Sequence, residues 1–170
     1  SHYAWHAFHI DKNLTRRLKK FARTEGTTLY AVCLSALQIL LTRYTAQEDT
    51  AVVTPVFGRS RARFARTVGD FVNMLVLREN LQPELTGLEL LARTKQTLLE
   101  ALAHQDYPYA RLVADIRSAR QGPRSPLAQV LFVLQQFKLL AELDLRMGVS
   151  TGAVPNVPFL EWDAYVIPQQ

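Results

Sequence analysis

The chain has 170 residues, a formal net charge of +5 and an apolar share of 48%. That length suits one domain, and the apolar share excludes a disordered chain. The basic balance, mostly arginine, leaves nucleic acid, anionic membrane or an acidic protein as partner classes.

Tyr3 to Ile10 alternates aromatic and other residues and reads as a strand. Asp11 then caps a helix whose apolar face is Leu14, Leu18, Phe21 and Ala22. Lys12, Arg16, Arg17, Lys19 and Lys20 fill its other face. Gly26 ends that helix, and Thr27 or Thr28 caps the next. Leu29, Val32, Cys33, Ala36, Leu37, Leu40, Leu41 and Tyr44 follow at steps of three and four. So wide an apolar face predicts a deeply buried helix, with Cys33 as a small core residue.

Thr50 to Phe57 is short and β-branched, a strand in which Pro55 marks an end or an edge. A turn at Gly58 leads into Arg59, Arg61, Arg63 and Arg66, and Gly69 breaks the chain again. Phe71 to Arg78 is nearly all apolar and predicts a strand buried on both faces apart from Asn73. Thr86 and Glu89 form a capping box for a helix that ends near His104. Asp106 is placed to cap a shorter helix, with Tyr107 and Pro108 in its first turn and Tyr109, Leu112, Val113 and Ile116 on its face. A polar loop, Ser118 to Ser125, precedes a strand at Ala128 to Gln135. Phe137 to Pro158 is mixed, and Phe159 to Ile167 holds a last strand. The order β-α-α-β-β-α-α-β-β predicts an α/β sandwich, helices packed on a mostly buried sheet.

The chemistry-bearing residues do not assemble into a catalytic set. The sequence has no phosphate loop, dinucleotide fingerprint or nucleophile elbow. His2, His6 and His9 lie near the start with no second ligand cluster, so no metal site is expected. His104 and Asp106 form a His-x-Asp pair that reads either as an oriented base or as a histidine at a helix carboxyl end; the second reading is preferred. No zinc-finger spacing or RNA-recognition motif supports nucleic-acid binding. No apolar run approaches the roughly 18–20 residues of a membrane span. The start lacks a signal-peptide pattern. One cysteine cannot form an internal disulfide, and a lone thiol suits the cytoplasm. The absence of an initial methionine suggests a trimmed piece. Arg61, Arg63 and Arg66 read as a solvated turn. Arg59 follows a strand and a glycine, where a guanidinium suits a bidentate pair with a buried carboxylate. No such carboxylate stands out here, which points to a partner outside the chain.

Five segments together resemble one family. TPVFGR (Thr54 to Arg59) and VGDFVNMLVLR (Val68 to Arg78) resemble the strand, turn and strand of nonribosomal peptide synthetase condensation domains. AHQDYPYARLV (Ala103 to Val113) is similar to their HQDxPFE motif, with Tyr109 for the usual phenylalanine and Ala110 for the acidic residue. RSPLAQVLFVLQ (Arg124 to Gln135) is similar to (R/N)xPLFQVMF, with Ala128 for the common aromatic. TLYAVCLSALQILLTRYTAQED (Thr28 to Asp49) matches the long helix before them.

The resemblance implies a chloramphenicol acetyltransferase-like two-layer sandwich lobe, a mixed sheet covered by helices. It implies an enzyme that forms an amide between a carrier-bound acyl or peptidyl thioester and an aminoacyl acceptor. The family motif HHxxxDG is absent, so the chain is expected to be the carboxyl-terminal lobe, truncated at both ends and inactive alone. Arg59 is then expected to pair with the aspartate of HHxxxDG in the amino-terminal lobe. Phe71 and Asn73 match a strand facing the cleft between lobes; Asn73 is expected either to line the substrate tunnel or to hydrogen-bond within the sheet. Arg61, Arg63 and Arg66 are expected to meet acidic carrier proteins upstream and downstream. No cofactor is expected to bind directly, since substrates ride on the carriers' phosphopantetheine. Nucleic acid and membrane are not expected partners, and self-association of the isolated lobe is. Heterocyclisation, epimerisation, ester formation and a non-catalytic docking role are the alternatives.

Overall fold

The computed structural model describes residues 10–58, 64, 66–117, 130–135 and 163–168. Residues 3–9 of the first expected strand, the loop Ser118–Ser125 and the stretch Phe137–Pro158 lie outside them. The described elements run α1 (Lys12–Thr24), α2 (Leu29–Thr45), β1 (Asp49–Val56), β2 (Asn73–Asn80), α3 (Gly87–Ala103), α4 (Tyr109–Arg117), β3 (Val130–Gln135) and β4 (Asp163–Pro168). This is the expected order from the first helix onward. The chain divides into two compact units, Ser1–Thr50 with Glu79–Leu99, and Ala51–Arg78 with Glu100–Gln170.

In the first unit the helix ends follow from local chemistry. Asp11 Oδ1 accepts from the Leu14 amide at 2.8 Å, satisfying an orphan N–H of α1. Gly26, at φ 59°, closes α1: its amide donates to Arg23 O and the Thr27 amide to Ala22 O. The direction then changes by 105° into α2. Thr28, not Thr27, caps α2 through Oγ1 to the Ala31 amide at 3.1 Å. At the start of α3 the Glu89 carboxylate accepts from both the Thr86 amide and the Thr86 hydroxyl at 2.8 Å, and the Glu89 amide returns to Thr86 Oγ1. The backbone bond from Thr86 is the larger cause, and its hydroxyl the second, that holds the Glu89 carboxyl below its usual range.

The packing of α2 differs from its sequence pattern. Ala31, Val32, Leu34, Ser35 and Gln38 are its buried residues, while Leu40 is 60% exposed and Tyr44 89% exposed. The apolar ring is too wide for one contact, and part of the buried side is polar. Ala22, Ala31, Val32 and Leu91 form a core cluster, joined by Leu18 and Leu98. Ser35 Oγ lies 2.9 Å from Ala31 O and 3.0 Å from Thr94 Oγ1, which donates to Gln38 Oε1 at 3.3 Å. This buried chain ties α2 to α3 at one register, because a slip would leave each group unpaired. Glu79 is likewise buried but partnered, by Arg93 at 2.9 Å and by the Thr97 hydroxyl. Cys33 is half-buried, and burial pushes its thiol above the usual value, which fits a packing residue rather than a nucleophile.

The second unit is built on a mixed sheet ordered β2-β1-β3-β4. β1 runs parallel to β3 with Val52 opposite Val130, and β3 runs antiparallel to β4 from Val130–Pro168 to Gln135–Asp163. Val52, Val53 and Phe132 are buried. β1 is an interior strand, so Pro55 marks its end, where no ladder donor is lost from the middle. β2 is the outer strand of the described sheet. It alternates instead of burying both faces: Leu75, Leu77 and Glu79 are buried, Met74 and Val76 half-buried, Arg78 and Asn80 exposed. No single helix among the described residues is long and apolar enough to cross a membrane.

Replacing Thr94 with valine keeps the shape and removes the donor to Gln38. The expected loss is about 1–3 kcal/mol of unfolding free energy in urea titration, the cost of a buried acceptor left unpaired.

Candidate functional site

The start of β2 carries the quoted VGDFVN segment, and the structure joins it to a second quoted segment. Asn73 is half-buried at the first position of β2. Its side-chain amide donates to Gln105 O at 2.8 Å and to Tyr107 O at 2.8 Å. Its Oδ1 accepts from the Tyr109 amide at 3.0 Å. Both donors and one lone pair are therefore used within the protein.

These bonds explain how α3 can hand over to α4 in so few residues. The amides of His104, Gln105 and Tyr107 fold back onto carbonyls of Glu100, Ala101, Leu102 and His104 as a tight turn. The carbonyls of Gln105 and Tyr107 then lack helical partners, and Asn73 supplies them. Tyr109 is the first residue of α4, and its amide is one of the orphans of any helix start. The sequence assigned that cap to Asp106 and put Tyr107 and Pro108 inside the helix. The structure begins α4 at Tyr109, with Pro108 O accepting from Arg111 and Leu112 and the Asn73 side chain binding the Tyr109 amide. His104 sits exposed in the turn after α3, in agreement with the helix-end reading.

On the other side of β2's start, Asp70 Oδ1 accepts from the Val72 amide at 2.9 Å and shapes the entry to the strand. The half-buried Phe71 ring lies 5.5 Å from that of Phe64, tilted by 37°. Gly58 has φ 61°, and a Cβ there would run into the Phe71 carbonyl. Glycine is thus required for the turn to approach Phe71. Phe57, Val68 and Val72 around these turns are exposed, Val68 at 99%. Arg66 is exposed as well. Arg59, Arg61 and Arg63 lie outside the described residues.

One pair was missed from sequence. The Tyr107 hydroxyl donates to Asp115 Oδ2 at 2.6 Å across the first turns of α4. That hydrogen bond is the first cause raising the Tyr107 phenol above its ordinary value; Arg111 pulls weakly the other way. A separation of eight residues across a helix start matches no simple periodicity, so no pattern marked it.

Three measurements check this geometry. Asn73→Ala leaves two carbonyls and an amide to water, with an expected loss of about 1–3 kcal/mol in urea titration. Amide exchange at Tyr109 should rise with it, while exchange in α2 stays as it was. The Tyr107 phenol, followed by ultraviolet absorbance, should ionise above the usual 10.0, and Asp115→Asn should bring it down. A raised folded-state value means that the stability linked to this proton is complete below pH 10.0 and lost as pH rises through the folded value.

The sequence matches a family model described as Condensation domain over residues 4–151. It is 42% identical over 156 residues to gramicidin S synthase 2 of Brevibacillus brevis, covering 92% of this chain and 4% of that protein. It is 45% identical over 124 residues to tyrocidine synthase 3 of Brevibacillus parabrevis, covering 73% of this chain and 2% of that protein. The chain thus spans a very small part of the length of these relatives. Among solved structures, the condensation domain from monacolin K polyketide synthase MokA superposes with TM-score 0.62 at 28% identity, over 71% of this chain and 28% of that one. Holo-AB3403, a four-domain nonribosomal peptide synthetase, superposes with TM-score 0.73 at 24% identity, over 79% of this chain and 10% of that one. The α/β architecture expected from sequence, helices with a small mixed sheet, is the chloramphenicol acetyltransferase-like fold of these neighbours. By the family match and the identity to the two synthases, the chain belongs to the condensation-domain family.

Proposed function

We propose that the chain is the carboxyl-terminal lobe of a condensation domain, serving a parent enzyme that forms amide bonds in nonribosomal peptide assembly. The observation that carries this reading is the Asn73 clamp, which ties the VGDFVN strand to the HQDYPY connection. The two segments that resemble family motifs are one physical unit, so their joint presence is a structural requirement.

In the reaction, the acceptor amine attacks the donor thioester carbonyl. The C–N bond forms, the C–S bond breaks, and the amine proton ends on the departing phosphopantetheine thiol. The family motif HHxxxDG is absent from this sequence. The chain's own part is therefore the cleft wall, and by itself it does not turn over. Phe71 presents its ring to the cleft, and Asn73 fixes the second segment of that wall. Arg59 pairs with the aspartate of HHxxxDG in the amino-terminal lobe. The exposed Phe57, Val68 and Val72 form apolar surface that this lobe covers, and that drives self-association of the isolated chain. Arg61, Arg63 and Arg66 draw acidic carrier domains by long-range attraction, which salt weakens.

An amide-formation assay with loaded carrier domains tests the reading. The isolated chain should give no product, and the full condensation domain should turn over. Arg59→Ala in the full domain should lower turnover about tenfold or more, since it strands a buried carboxylate. Product from the isolated chain would overturn the assignment of the chemistry to the other lobe.

A further inference from the structure

Phe64 lies between the two quoted segments TPVFGR and VGDFVN and belongs to neither. It is the sole aromatic residue between Phe57 and Phe71, in a stretch that holds Arg59, Arg61, Arg63 and Arg66. A solvated basic turn has no need of an aromatic ring, yet this one is half-buried. The Thr67 amide donates to Phe64 O at 3.2 Å, a tight turn that holds the Phe64 backbone. The centroid of the Phe64 ring lies 5.5 Å from that of Phe71, with the planes tilted by 37°. That separation is within the range of a favourable aromatic pair.

Phe71 is held at its backbone, at its ring edge and by a second ring. Its carbonyl oxygen lies where a Cβ on Gly58 would be, so the Gly58 turn packs directly on the Phe71 backbone. A Cβ on Gly69 would lie 3.4 Å from Phe71 Cε2 and 4.0 Å from Cδ2, so the Gly69 backbone runs along one edge of the ring. Phe64 adds its own ring. The glycine contacts are made by backbone, whereas Phe64 makes its contact with a side chain. A half-exposed aromatic side chain exchanges between staggered χ1 wells unless packing selects one. A wall ring free to do so must be ordered when substrate arrives, at a cost to binding. We infer that Phe64 is a positioning residue for the condensation reaction: it braces the Phe71 ring, so that the cleft wall is set before the carrier-bound substrate enters. This rests on the reading of Phe71 as cleft wall. Phe64 acts through Phe71 and not by touching substrate.

The test uses the full condensation domain with loaded carrier domains, one varied while the other saturates. Phe64→Ala should raise KM for at least one carrier about two- to tenfold, the range an aromatic pair supports, with kcat little changed. Phe64→Tyr, which keeps the ring, should restore the original KM. In a Phe71→Ala background, Phe64→Ala should add nothing further. Fluorine NMR of para-fluorophenylalanine in place of Phe71 should show the ring's resonance shifted in Phe64→Ala and close to its original place in Phe64→Tyr. Were Phe64→Ala unfolded by circular dichroism, Phe64→Leu, which fills the space without a ring, carries the same expectations. Phe71→Ala with the original KM overturns the cleft-wall reading, and the inference falls with it. A raised KM in Phe71→Ala but not in the Phe64 variants, an unmoved fluorine resonance, a fall in kcat alone, or an added rise in the double variant overturns the inference and leaves that reading standing.

Discussion

A chain that turns sharply between two helices must find partners for the backbone groups the turn releases, and in this molecule one side chain supplies them. Asn73 gives both of its amide protons to Gln105 and Tyr107 and takes the Tyr109 amide on its oxygen. A leucine at this place would leave those groups to compete for water at a half-buried site. A charged side chain would offer donors or acceptors but not both. The start of β2 and the start of α4 are therefore fixed together, and Tyr107, held by the same connection, is aimed along α4 at Asp115. The Gly58 turn follows the same logic, since its backbone can approach Phe71 only without a side chain.

The first unit relies on polar groups inside an apolar contact. Ser35, Gln38 and Thr94 are buried and linked by hydrogen bonds through Thr94, and Glu79 is buried with Arg93. Apolar packing alone tolerates slippage between helices; a hydrogen-bonded chain has one register. The outward face of α1 has the opposite character. It keeps five exposed cations with no acid on the same helix, and like charges four residues apart lower its own stability.

The elements themselves were legible because their signals are local. Asp11, Thr28 and the Thr86–Glu89 pair cap the helices they were expected to cap, and Gly26 ends α1 as its φ of 59° requires. The family was legible as well, because five segments in order identify it without any contact being known. Burial was read less well. Leu40 and Tyr44 continue the apolar repeat of α2 yet face outward, and β2 buries one face where two were expected. Periodicity reports which residues could be buried, not how many neighbours arrive to bury them.

The site divides along the same line. Sequence alone marked Phe71 and Asn73 as notable residues of one strand and Gln105 to Tyr109 as a separate motif. It determined the helices, their caps, the glycine turns, the cationic side of α1 and the lack of a catalytic histidine pair, since each depends on residues close together in the chain. Only the tertiary structure decided that Asn73 binds the first amide of α4, that Tyr107 meets Asp115, and that α2 buries Ser35 and Gln38 against Thr94. Asn73 and Tyr109 are 36 residues apart. No local preference encodes such a pair, because the bond exists only once strand and helix have packed and left the same few backbone groups in need of a partner.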